Sequence, residues 1–122
     1  MNSNAIGAAL ICILILDFIY LSLTKKFYNN LVRSIQGENI VINNLGLLLA
    51  YFFIIFGYYY FIIRKNASVL DAFLLGLTTY GIYEGTNYAI FKKWTLQAVL
   101  LDTLWGGVLF GATRYLTQKL NL

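Results

Sequence analysis

The chain has 122 residues, 60% of them hydrophobic and only 11% charged, with a formal net charge of +4 and neither histidine nor proline. That little charge cannot cover the surface of a small soluble domain, and without histidine there is no Ser-His-Asp or Cys-His catalysis and no His-ligated metal or haem. A lone Cys12 excludes an intramolecular disulfide, and basic residues paired at the ends of apolar segments suit lipid headgroups, not a nucleic-acid face.

The first apolar segment covers residues 5–24, interrupted by Asp17 and closed by Lys25 and Lys26. About 20 residues at 1.5 Å each span the ~30 Å hydrocarbon core. No Lys or Arg precedes the run and Asp17 breaks it, so it does not read as a cleaved signal peptide. Over residues 25–36, Phe27, Tyr28, Leu31, Val32 and Ile35 recur at helical period, with Lys25, Lys26, Asn29, Asn30, Arg33 and Ser34 opposite. This predicts a short amphipathic helix lying in the interface and ending near Gly37.

The second span, residues 43–63, is apolar and aromatic, with Tyr58, Tyr59 and Tyr60 placed as an interfacial belt. Asn66-Ala67-Ser68 makes a turn. The third span covers residues 69–91, with Asp71 at its N-terminus, and the fourth covers residues 94–116. The reading is one all-α transmembrane domain over residues 1–122, an integral membrane four-helix bundle. Both termini fall on one side. Basic residues are nearly balanced across the two sides, so the positive-inside rule barely discriminates.

Asp17 lies about seven residues before the end of span one, Glu84 about seven before the end of span three, and Asp102 seven or eight into span four. All three therefore fall roughly 10 Å below the same surface. Tyr80, Glu84 and Asn87 share one stripe, at i, i+4 and i+7. Tyr20 follows Asp17 by three residues, and Trp105 follows Asp102 by three. Tyr83 and Thr86 flank the stripe. Gly81 and Gly85 form one small-residue step, Gly107 and Gly111 another, suited to packing within the chain or to a homodimer. Three close carboxyls in low dielectric cannot all stay ionised: they share protons or a cation joins them. The bland alternative is that protonated carboxyls act as interhelical glue, bonded to Tyr, Asn and Thr.

Asp17-x-x-Tyr20, Phe27-Tyr28, Tyr83-Glu84-x-Thr86-Asn87, Lys93-Trp94 and Asp102-x-x-Trp105-Gly106 together resemble the predicted membrane proteins grouped as domain of unknown function 2177. The resemblance covers nearly the whole chain. The family pattern often has Asp at the position of Glu84 and Trp at that of Tyr20, exchanges that keep a carboxyl and an interfacial aromatic. The resemblance implies a small four-span protein and no particular activity.

Intramembrane ionisable residues mark pathways and sites. The leading expectation is a proton- or cation-coupled transporter or channel-like protein with its site at Asp17, Glu84, Asn87 and Asp102, supported by Tyr20, Tyr80, Tyr83, Thr86 and Trp105. The alternatives are a membrane-embedded enzyme acting on a lipid or lipid-linked substrate, and a structural or accessory subunit. No cofactor is expected, and a divalent cation held by Asp17, Glu84 and Asp102 stays open. The expected partner is the lipid bilayer, with no nucleic acid.

Overall fold

The computed structural model describes residues 3–121. It is all-helical among the described residues: α1 (Ser3–Gln36), α2 (Asn44–Tyr58) running into a π-helical turn (Tyr59–Ile63), α3 (Val69–Ile90) and α4 (Leu96–Lys119). Short polar side chains open three of them. Asn43 Oδ1 accepts from the Gly46 N–H at 3.1 Å, Ser68 Oγ from Asp71 N–H at 3.0 Å, and Thr95 Oγ1 from Ala98 N–H at 3.2 Å. Each satisfies a first-turn donor that the helix itself leaves unpaired.

The interfacial stretch is helical but is not a separate element. α1 runs unbroken for 34 residues, through Lys25 and Lys26 to Gln36. Nothing in the sequence stops it before Gly37, which takes φ +80 as a helix-ending glycine does. At ~1.5 Å per residue the helix is ~50 Å long, well beyond the hydrocarbon core. Its last turns do present the apolar stripe to the protein: Leu31 is buried with Trp94 and Ala98, and Phe27, Tyr28, Val32 and Ile35 pack around them.

Three helices are long and apolar enough to cross a membrane: α1, α2 with its π-helical turn, and α4. α3, expected as the third span, falls short of that measure because Asp71, Thr78, Thr79, Glu84, Thr86 and Asn87 dilute its apolar content. The surface is nonetheless that of a protein in lipid. Phe18 and Leu23 are 72% and 81% exposed, and exposed Leu, Ile and Phe continue along α1 and α2. An apolar exterior this extensive is not found on soluble monomers.

The interior mixes bulky apolar side chains with small and polar ones. All four helices contribute to one core of Ala9, Ile13, Tyr58, Ile62, Ala72, Leu109 and Phe110. α3 and α4 are antiparallel neighbours in closest contact at Gly76 and Gly106. A Cβ on Gly76 would stand 2.0 Å from the Gly106 carbonyl oxygen, and one on Gly106 would stand 2.4 Å from the Tyr80 ring. Gly107 and Gly111 give way to Phe73, whereas Gly81 merely meets the Thr103 methyl and Gly85 has nothing within 4 Å. The close approach thus uses one glycine from each helix, and the Gly81/Gly85 step does not make it.

Arg114, 4% exposed, fixes the turn between α2 and α3 onto α4. Its Nε donates to the Ala67 carbonyl at 2.8 Å and its Nη2 to Asn66 Oδ1 at 2.9 Å. Asn66 sits at φ +50, in the left-handed region that asparagine tolerates.

Gly76→Ala is expected to lose about 1–3 kcal/mol of stability through overpacking. Gly85→Ala should change it by less than about 0.5 kcal/mol. Reversible unfolding of the two variants in mixed micelles checks the contrast, and equal losses would contradict the assigned crossing point.

Candidate functional site

Asp17, Glu84 and Asp102 line one cleft of about 370 Å³, reached by α1, α2, α3 and α4 together. Asp17 is 6% exposed and Glu84 only 1%. The hydrogen-bond partners of these carboxyls are neutral donors, Tyr20, Tyr51, Trp94 and Trp105, drawn from α1, α2, the α3–α4 turn and α4.

Asp17 is held at both oxygens. The Trp105 indole N–H of α4 donates to Oδ1 at 3.0 Å, and the Tyr51 hydroxyl of α2 donates to Oδ2. Three helices therefore meet at one carboxyl. The Tyr20 ring stacks on the Trp105 indole, centroids 4.6 Å apart and planes within 3°. Such a stack fixes both rings at their polar ends. It leaves the Tyr20 hydroxyl free to donate to Asp102 Oδ1 at 3.0 Å. The same hydroxyl is 2.7 Å from that of Tyr28, two turns further along α1. Deeper in the cleft, Trp94 Nε1 donates to Glu84 Oε1 at 2.8 Å.

Glu84 and Asp102 line the same cleft. Acids gathered in one low-dielectric space do not all ionise at once. Together the hydrogen bonds form a chain of titratable groups, Asp102–Tyr20–Tyr28, with Glu84 lining the same cleft and Asp17 bracing the Trp105 side.

The remaining expected residues divide. Tyr80 lines the cleft and packs on Gly106, Tyr83 stands at its exposed lip, and Asn87 is buried on the same side of α3 as Glu84. Thr86 is outside: it is exposed, and its hydroxyl donates back to the Ile82 carbonyl of its own helix at 2.7 Å. Among the described residues no group of three His, Cys, Asp or Glu side chains is arranged to hold a metal ion. Asp17 is already occupied by Tyr51 and Trp105, which leaves Glu84 and Asp102 as the acceptors open to a cation.

Three residues of the cluster were not among the expected site residues: Tyr51, Trp94 and Tyr28, the last two belonging to the stretches that carry the family resemblance. Tyr51 lies eight residues into the second span, so the depth arithmetic used for the acids also locates it. Trp94 lies in the turn between α3 and α4, just before the Thr95 cap, and its reach back to Glu84 depends on that turn. Tyr28 lies beyond the expected break in α1, and only the unbroken helix brings it two turns above Tyr20.

The family model described as Predicted membrane protein, domain of unknown function 2177, matches residues 3–118. No curated protein and no solved structure matches the chain.

Removing the Asp17 carboxyl strands two donors. Asp17→Ala is expected to cost about 1–3 kcal/mol from the unpaired Tyr51 hydroxyl and Trp105 N–H. In the Tyr51→Phe, Trp105→Phe background the same change should cost distinctly less. A double-mutant comparison of unfolding midpoints measures this, and equal costs in both backgrounds would rule the bonding pattern out.

Proposed function

The chain belongs to the domain of unknown function 2177 family of predicted membrane proteins, and from that premise we propose that it moves protons or a cation through the bilayer as a small multi-pass coupled transporter. The reading rests on one observation: Asp17, Glu84 and Asp102, from three helices, line one cleft whose lining holds no Lys or Arg. An acid pair that shares one proton can exchange it for another cation, because the pair gains a second negative charge only when the proton leaves. That is the requirement for coupling at a single site.

The hydroxyl chain supplies a route. Tyr20 bonds both Asp102 and Tyr28, so a proton leaving Asp102 has hydrogen-bonded oxygens on the way toward the end of α1. Asp17 takes no part in the transfer. It holds Trp105, and through the ring stack it holds Tyr20 in line. Structural glue, the competing reading, needs the hydrogen bonds but not the exchangeable proton.

Protein in liposomes loaded with a pH-sensitive dye distinguishes the two. Glu84→Gln should preserve folding and lower proton flux by about tenfold or more, and Tyr20→Phe should lower it by a comparable factor by breaking the hydroxyl chain. Wild-type flux in both folded variants would reject the transport reading and leave the glue.

A further inference from the structure

Two openings in the protein meet at the same carboxyl. The cleft shares Ala50, Ile54, Tyr80, Tyr83 and Asp102 with an apolar groove of about 430 Å³ between α2 and α3. Beyond Asp102 the groove continues past Phe53, Gly57 and Phe61 on one wall and Leu75 and Phe110 on the other. Residues 50–61 cover ~16 Å of helix axis, about half the hydrocarbon core. Phe53 and Phe61 are exposed at its rim, so the groove opens sideways to the acyl chains rather than to water.

We propose that groove and cleft together bind one amphiphile with a single aliphatic chain and an ammonium head, the chain along α2 and the head at Glu84 and Asp102. This rests on the coupled-transport reading and names its substrate class. Charge selects the head. The cleft presents carboxyls and no basic side chain, so it repels phosphate, sulfate or carboxylate heads and attracts a cation. Tyr20, Tyr80, Tyr83, Trp94 and Trp105 surround or border the same space, and aromatic faces around an acid favour ammonium groups in particular. The groove selects the tail, being lined mainly by apolar side chains around a volume of about 430 Å³. When the head arrives, one proton held on the cleft carboxyls leaves by way of Tyr20 and Tyr28. One cation replaces one proton and the site keeps its net charge.

The chain carries its own reporter. Its only two tryptophans, Trp94 and Trp105, both donate to cluster carboxyls. The full chain in phosphatidylcholine nanodiscs is titrated with a dodecylammonium amphiphile bearing a nitroxide at its head, and tryptophan emission is followed. The expected result is saturable quenching, with affinity about tenfold or more above that for the dodecyl sulfonate and the uncharged dodecyl nitroxides. Asp102→Asn should lower that affinity about tenfold. So should Gly57→Phe, which fills the groove from a position with no neighbour within 4 Å and leaves the carboxyls in place. Quenching that never saturates and ignores the head, or saturable binding unchanged in both variants, overturns the proposal. In that event, Glu84-dependent proton flux in liposomes of the same protein keeps the transport reading standing alone, and its absence removes both.

Discussion

The structure depends on satisfying buried acids with neutral donors drawn from other helices. A carboxyl in hydrocarbon is tolerable only when its oxygens are bonded, and here each bond is also a tie between segments. Asp17 draws α4 through Trp105 and α2 through Tyr51; Asp102 draws α1 through Tyr20; Glu84 draws the α3–α4 turn through Trp94. Apolar side chains cannot do this in lipid, because a leucine gains little by leaving acyl chains for another helix.

That constraint explains the inverted distribution of residues. Many large Leu, Ile and Phe side chains are exposed, while Asp17, Glu84 and Arg114 are buried in an interior shared with Ile13, Ile62, Leu109 and Phe110. Glycine at the Gly76–Gly106 crossing brings α3 and α4 close enough for Tyr80, Glu84 and Asp102 to line one cleft. α2 is held differently. It is tied to the rest through Tyr51 and through Ile54, Ile55, Tyr58 and Ile62, while residues 40–50 are exposed throughout. Elements with few buried contacts open at low free-energy cost, and α2 is the wall of the lateral groove.

Much of this was legible from residue order. Counting residues from segment ends put Asp17, Glu84 and Asp102 at one depth, and in the fold they line one cleft. Rise per residue is nearly constant in a helix, so depth can be read without knowing how helices rotate. Partner identity needs that rotation, which is why Thr86, beside Glu84 in sequence, lies on the outer face while Trp94 reaches inward. Of the glycine steps, Gly107/Gly111 does pack within the chain, against Phe73 of α3, whereas Gly85 has nothing within 4 Å. Spacing of four marks a smooth stripe on one helix, but close approach is a property of two, and Gly76 has no glycine partner on α3 at that spacing. The extent of α1 was misjudged because charge at Lys25 and Lys26 marks a membrane boundary and not a helix end.

An unbroken α1 has a mechanical consequence. Tyr20 and Ile35 are 15 positions apart, ~22 Å along a continuous helix axis, with no glycine or proline between them to act as a hinge. A push on the outer end, where Leu31 leans on Trp94 and Ala98, is therefore delivered as a rod delivers it. Asp17 and Tyr20 must tilt or slide with the surface end, so whatever crowds the membrane face there is felt in the interior without any intermediate messenger.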